Sequence, residues 1–346
     1  MAYTTINKSS DYFNTNLYTG NSGELAITGV GFQPDFWWGK KRSAAGSHVL
    51  ANAVSGANKF LYTDANLAET TYNEAVKSFD SDGVTIGTAG DINGNGLDFV
   101  SWNWKAGTTG SGNTTGSGDS KAYSYSVNTT PGFSIIKYIG NGTTNHTIPH
   151  HLGVSPEWIL VKDLDAATNW QMYHVSLGNT YTTEINIQNA PFQSSSRWSN
   201  TTPSSTVVTL GNGNNTNNNN TNYIMFAFAA KTGYSKFGSY TGNGNTDGTF
   251  VYTGFKPAFI MARKSSSTGN LVLVDTKRDG YNGANDTLSA NTTDAESGGN
   301  RFDILSNGFK ARSTSSYSNS SGDTFIYMAF AEASLVGTNN VPCTAR

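Results

Sequence analysis

Three prolines, each behind a glycine turn and ahead of an apolar run, constrain the fold of this chain more than any other feature. They stand in GVGFQPDFWWGK (Gly29 to Lys40), LGVSPEWILVK (Leu152 to Lys162) and TGFKPAFIMARK (Thr253 to Lys264). Glycine supplies freedom at φ, proline fixes φ, and the run behind them reads as a buried strand. Pro34, Pro156 and Pro257 are spaced by about the length of a domain. A motif returning at that period predicts a module present three times.

Other segments follow the same period. Each unit opens on a hairpin pattern, Leu17 to Phe32, Tyr138 to Ile148 and Tyr240 to Phe255, whose Gly-Asn tips tolerate left-handed backbone. Each closes on a run that is apolar on both faces: FVSWNWKA (Phe99 to Ala106), YIMFAFAA (Tyr223 to Ala230) and FIYMAFAE (Phe325 to Glu332). Such runs predict central strands covered on both sides. Trp102, Phe226 and Met328 fall at one position, and Trp104, Phe228 and Phe330 at another. Between these landmarks, Leu61 aligns with Leu288 and Glu69 with Glu296. The middle of unit two, Ser176 to Val207, lacks the Asn…Ala-Glu segment of the other two (Asn66 to Glu69 and Asn291 to Glu296), so its contacts are expected to be absent or altered.

These patterns predict an all-β chain of three tandem homologous β-sandwich modules. The boundaries are module 1 at 1–106, module 2 at 121–230, module 3 at 231–337 and a C-terminal tail at 338–346. Residues 107–120, GTTGSGNTTGSGDS, read as a flexible Gly/Ser/Thr linker. One stretch departs from the all-β reading. Ala68, Tyr72, Ala75, Val76 and Phe79 have helical spacing behind an Asn66/Glu69 capping pair and predict a short helix in module 1. With no internal disulfide possible, each module is expected to bury its own aromatics.

Composition narrows the function. Charged residues make up 13% of the chain and the net charge is −2. With no Lys/Arg run, nucleic acid and anionic membrane surfaces are not expected partners. The start, MAYTTINKSSDYFN, lacks the apolar core of a secretory signal, and the longest compact apolar run, Tyr223 to Ala230, is too short to span a bilayer. Nucleophile-elbow, phosphate-loop, dinucleotide and zinc-protease motifs are missing from the sequence, so a non-enzymatic protein without cofactor is expected.

Few residues present themselves as site candidates. Trp170 and Trp198 sit among polar residues of the divergent unit and are expected on an exposed, sugar-stacking face. Trp37, Trp38 and Trp158 share the proline-led strand with Phe259 and Ile260, which predicts core. Asp91, Asn93, Asn95 and Asp98 copy half of a calcium loop, but the twelfth position is Trp102 and not a bidentate acid, so a glycine-rich turn is the plainer reading. His146, His150 and His151 cluster in one segment only. The short segment before the first repeat carries Tyr3, Ile6, Tyr12 and Phe13, which are expected to dock on a neighbouring subunit or on the first module.

The opening MAYTTINKSSDYFNTNLYTGN, the GVGFQPDFWWGKKRS, SHVLANAVSGANKFL, SFDSDGVTIG and VSWNWKAG segments and the closing VPCTAR together resemble a repeat-containing virion structural protein of marine tailed bacteriophages, such as cyanophages. The resemblance covers essentially the whole chain. It implies a tail-fibre, appendage or capsid-decorating component with lectin-like or jelly-roll-type β-sandwich modules. It also implies a virion location, with capsid or tail proteins as partners. A homo-oligomer is expected, a trimer first, because phage fibres and decorations are often threefold. Two other functions stay open, a carbohydrate-binding adhesin for the host surface and a polysaccharide depolymerase.

Overall fold

The computed structural model describes residues 4–278, 282 and 286–334. Glycine and asparagine turns break the chain into short segments of alternating or continuous burial, and these pair antiparallel almost throughout. The first unit contributes β1 (Phe13–Thr19), β2 (Leu25–Ile27), β3 (Phe36–Lys41), β4 (Val49–Asn52), β5 (Lys59–Tyr62), β6 (Thr70–Thr71), β7 (Val76–Asp80) and β8 (Gly83–Ile86). A single helical turn, α1 (Gly90–Asn93), then leads into β9 (Asp98–Trp104). They form a six-stranded sheet, β1-β9-β3-β4-β5-β6, and a three-stranded sheet, β2-β8-β7.

The second unit contributes β10 (Thr108–Asn113), β11 (Thr115–Gly116), β12 (Ala122–Asn128), β13 (Phe133–Ile139), β14 (His146–Pro149), β15 (Trp158–Asp163), β16 (Gln171–His174), β17 (Tyr181–Thr182) and β18 (Phe192–Gln193). After α2 (Ser195–Trp198) come β19 (Val207–Leu210), α3 (Asn214–Asn217) and β20 (Asn222–Phe228). Its sheets run β10-β12-β13-β20-β15-β16 and β11-β14-β19, with β17 and β18 as a separate pair. In the third unit, β21 (Ser235–Thr241), β22 (Phe250–Tyr252), β23 (Phe255–Lys264), β24 (Leu271–Asp275), β25 (Asp286–Ser289), β26 (Ser297–Gly298), β27 (Phe302–Leu305), β28 (Gly308–Ala311) and β29 (Thr324–Ser334) follow. They form β21-β29-β23-β24-β25-β26 and β22-β28-β27.

The closing strands β9, β20 and β29 each lie inside a six-stranded sheet, beside a proline-led strand. Phe36 pairs with Trp104, Trp158 with Phe228 and Phe259 with Phe330. Each of these residues stands two places after its proline, so Pro34, Pro156 and Pro257 hold the same register in their sheets.

One face of each six-stranded sheet packs on its own three-stranded sheet, for instance Trp37 and Ile86, Ile159 and Leu210, or Ile260 and Phe309. The opposite faces meet in a single shared core. Trp104, Phe228 and Phe330, the same position in the three closing strands, touch one another there: ring centroids are 6.2 Å (Trp104–Phe228), 5.8 Å (Phe228–Phe330) and 5.5 Å (Trp104–Phe330) apart. The sheets are thus arranged round one aromatic axis. This corrects the expectation that each module buries its own aromatics. A six-stranded sheet offers two apolar faces, and a three-stranded partner covers only one of them.

Two further expectations are corrected. Residues 107–120 are not a flexible linker: β10 pairs with β12 and β11 with β14. Gly110 and Gly112 lie against the rings of Tyr125 and Tyr123, so closely that a Cβ would come within 2.5 Å and 2.8 Å of their hydroxyl oxygens. The glycines there allow close approach within a strand. Asn66 to Phe79 is not helical either. It forms β6, a turn and β7, because the backbone of Tyr72 is taken up by Asn58 and Ala75.

A recurrent corner ties each hairpin to the turn before the closing strand. Asn93, Asn217 and Asn319 are wholly buried. The Asn93 Nδ2 donates to the carbonyls of Gly23 (2.5 Å) and Gly87 (2.7 Å), and its Oδ1 accepts from the Asn21 amide (2.8 Å). Asn217 makes the same bonds to Thr143, Gly211 and Asn141, and Asn319 to Asn245, Ser313 and Asn243. One residue before each asparagine, a carbonyl accepts a tyrosine hydroxyl: Tyr18 to Ile92, Tyr138 to Thr216 and Tyr240 to Ser318. Those tyrosines stack on Phe99, Tyr223 and Phe325. A Cβ on Gly20, Gly140 or Gly242 would run into the carbonyl of Gly94, Asn218 or Ser320, which explains the glycine in each tip.

A buried cation also recurs. Lys40, Lys162 and Arg263 pair with Val100, Ile224 and Ile326, and all three are 0% exposed. Their heads are satisfied by backbone carbonyls. Lys40 reaches Lys41 (2.7 Å) and Thr293 of the third unit (3.4 Å), and Lys162 reaches Asp163 and Ala166. Arg263 reaches Glu184, Ile187 and Asn189 of the second unit. The middle of unit two thus gives its neighbour backbone carbonyls, while units one and three also give the amides of Glu69 (to Leu164) and Glu296 (to Arg42).

Burial lowers Lys40 and Lys162 to about 8 from the ordinary 10.5. An unfolded chain keeps those protons up to about pH 10.4, so between pH 8 and 10 it binds more protons than the folded chain and stability rises with pH. Above pH 10 the buried tyrosines Tyr18, Tyr138, Tyr234 and Tyr240, all raised by burial, reverse the trend. Urea midpoints measured from pH 7 to 11 are expected to peak near pH 10, and Lys40→Met should flatten the rise. A midpoint that falls steadily from pH 8 would refute charged burial at these sites.

The amino-terminal segment is folded into the same body. Ile6 and Phe13 belong to the shared core, with Phe13 against Trp104 (4.8 Å), Phe330 (5.3 Å) and Phe259 (5.7 Å). Tyr12 meets Tyr234 edge-on. They dock within their own chain, on units one and three. Tyr3 and the tail at 338–346 lie outside the described residues.

Candidate functional site

The tryptophans expected on a ligand face are core residues. Trp170 and Trp198 are both 0% exposed. Trp170 immediately precedes β16, at the position of His48 and Leu271. In all three, the backbone N–H donates to a side-chain oxygen, of Asn186, Asp64 and Asn291 respectively. Its indole N–H donates to the Tyr62 carbonyl of the first unit (2.9 Å). The turn α2 folds Trp198 between its sheets, edge-on to Tyr173. Polar neighbours in sequence misled here, because a single turn such as α2 can leave its serines and arginine at least partly exposed while burying one large ring.

The half calcium loop does not converge on a metal. Asn93 is consumed by the corner, Asp98 accepts from Thr19 (3.0 Å), Asp91 accepts from Tyr62 (3.2 Å), and Asn95 is exposed. The histidines separate as well: His146 bonds Asn217 and Thr114, His150 the Ser204 carbonyl, and His151 the Tyr123 hydroxyl. Among the described residues, no three His, Cys, Asp or Glu side chains are grouped to hold a metal.

A different arrangement emerges where the two sheets of the first unit part at their edge. Val49, Phe60 and Tyr62 from β4 and β5, Tyr72 and Ala75 from the following turn, and Ala89 to Ile92 around α1 line a cavity of about 130 Å³. Phe60 and Tyr62 lie on one face of β5, with rings 5.1 Å apart and nearly perpendicular. Tyr72 is 46% exposed, yet its backbone is clamped at both ends: its N–H donates to Asn58 (2.8 Å), and its carbonyl accepts from Ala75 (3.0 Å). Burial, with Asp91 beside it, pushes the Tyr62 hydroxyl up to about 12, so it remains a donor at neutral pH. That hydroxyl holds one oxygen of Asp91. The other carries no hydrogen bond among the described residues and is free to accept.

The second unit closes the equivalent gap. Val49 and Tyr62 are replaced by Gln171 and Glu184, which bond each other (3.0 Å), and Arg197 from α2 donates to Gln171 (2.9 Å). Two side-chain replacements and the inserted turn α2 separate a filled edge from an open one. Sequence reading weighed Asp91 as half of a calcium loop, preferred a glycine-rich turn, and missed Tyr62 and Tyr72. A signal existed in the alignment that pairs Leu61 with Leu288, because it sets Tyr62 against Ser289.

Residues 8–334 match a family described as Domain of unknown function (DUF7483). The chain belongs to the DUF7483 family. No curated protein and no solved structure matches it. The DUF7483 match runs from the amino-terminal segment to the last described strand, so it takes in all three six-stranded sheets and their common core. Among the described residues, no helix is long and apolar enough to cross a membrane.

Proposed function

We propose that this chain is a non-enzymatic structural protein of a bacteriophage particle, of tail-fibre, appendage or capsid-decorating type, and that its three units are copies of one module. The contact of Trp104, Phe228 and Phe330 on one axis carries this reading, because it supports a rigid body made by fusing three like units. The resemblance of the whole sequence to virion repeat proteins points the same way. Association into a homo-oligomer on the particle belongs to the proposal. It would use surfaces other than Ile6, Tyr12 and Phe13, such as the outer strand β22, where Phe250 and Tyr252 are 45% and 47% exposed. Antibodies raised against the purified chain should label intact particles whose genome encodes it. Label found only in the lysed-cell fraction would refute the proposal.

The open groove of the first unit favours a second reading, attachment to a glycan of the host surface. A half-exposed tyrosine ring, Tyr72, beside a carboxylate with an open acceptor suits a ligand with both an apolar face and hydroxyl groups.

A further inference from the structure

We propose that the groove between Tyr62, Tyr72 and Asp91 binds one neutral pyranose ring of a glycan, an inference that rests on the glycan-attachment reading. A pyranose offers a face of C–H bonds and an edge of adjacent hydroxyls. Tyr72 supplies an aromatic surface at the mouth, on a stretch of backbone held by hydrogen bonds at its own amide and carbonyl. Fixing the backbone beneath the ring leaves only side-chain rotations to be ordered on association. Asp91 supplies the polar edge. Its Oδ2 is oriented by the Tyr62 hydroxyl and its Oδ1 is open, so a sugar hydroxyl can donate to a carboxylate in a charge-assisted bond.

The lining disfavours an acidic ligand. Asp91 contributes a carboxylate and, among the described residues, no cationic side chain lines the cavity, while the charge of Lys40 is buried behind it and held by backbone carbonyls, so a neutral sugar is favoured over an acidic one. The second unit shows what the same edge looks like without a ligand to receive: Gln171, Glu184 and Arg197 satisfy each other, and Trp198 completes the packing.

The test uses the full-length chain. A glycan array of neutral and acidic oligosaccharides is followed by titration of methyl pyranosides, observed by saturation-transfer NMR. At least one neutral pyranoside is expected to bind saturably. Tyr72→Ala and Asp91→Asn should each weaken it tenfold or more, while Tyr72→Phe, which keeps the ring, should stay within about threefold. Circular dichroism and the urea midpoint of each variant check that it is folded. Tyr72→Phe and Asp91→Asn, which barely change size, keep the test decisive if the alanine variant unfolds. Sugar binding that survives both Tyr72→Ala and Asp91→Asn would overturn this site and leave glycan attachment standing. Silence on the array and in the titrations would overturn both. Binding of tetramethylammonium without any sugar would overturn the ligand class, since an aromatic and acidic pocket can also hold a cation.

Discussion

Trp104→Ala is expected to lower the stability of all three units together, in one unfolding transition, by about 3–5 kcal/mol. The reasoning begins with the position. Trp104 is 2% exposed and contacts Phe13 and Phe36 of its own unit, Phe228 of the second, and Phe259 and Phe330 of the third. Truncation removes apolar surface from every sheet at once, and the surrounding rings are too interlocked to collapse into the space. Three independent modules would respond differently: one would melt early and two would stay. Urea unfolding followed by far-ultraviolet circular dichroism and by tryptophan fluorescence should therefore give coincident curves, both shifted. Trp104→Phe restores the ring found at the other two positions. It should recover most of the loss, helped by removal of an indole N–H that has no partner. Two separated transitions, one unmoved by Trp104→Ala, would show that the core is not shared.

What the sequence made legible follows from how local each cause is. The proline-led and closing strands were readable because their burial on both faces leaves continuous apolar runs, and Trp37, Trp38 and Trp158 lie in the core as those runs predict. The shared axis was not readable. Nothing in FVSWNWKA says whether the second face of the sheet meets its own module or two others, since both answers require the same apolar residues. Residues 107–120 were misread for a related reason: glycine in a strand that lies over two tyrosines looks, in one dimension, like glycine in a tether. For the candidate groove, Asp91 stood out but Tyr72 did not. Its value comes from a clamp by Asn58 and Ala75, and backbone hydrogen bonds in a turn leave no mark in composition. The corner asparagines were visible as polar loop residues, yet their equivalence was hidden because the loops around Asn93, Asn217 and Asn319 share almost nothing else.

That equivalence leads to the second large effect. Asn93→Ala, Asn217→Ala and Asn319→Ala are each expected to cost about 2–4 kcal/mol, a large effect for a single polar side chain. Each truncation leaves two carbonyls and one backbone amide without their partner, and such a group costs about 1–3 kcal/mol where water cannot reach it, less at the part-buried bonds. Replacement by aspartate should be no better, because a carboxylate cannot donate to the carbonyls of Gly23 and Gly87 that Asn93 holds at 2.5 Å and 2.7 Å. The three variants separate stability from binding. Asn93 ends α1, which carries Asp91 into the groove, so Asn93→Ala should also release that carboxylate and abolish sugar binding in the folded fraction. Asn319→Ala should cost as much stability and leave binding intact, because its corner lies in the third unit, whose residues do not line the groove. Urea titration gives the first quantity and pyranoside titration of the folded protein the second. A shift below about 1 kcal/mol at all three positions, the value of one ordinary hydrogen bond, would mean that the corner is not what holds the hairpins to the closing strands.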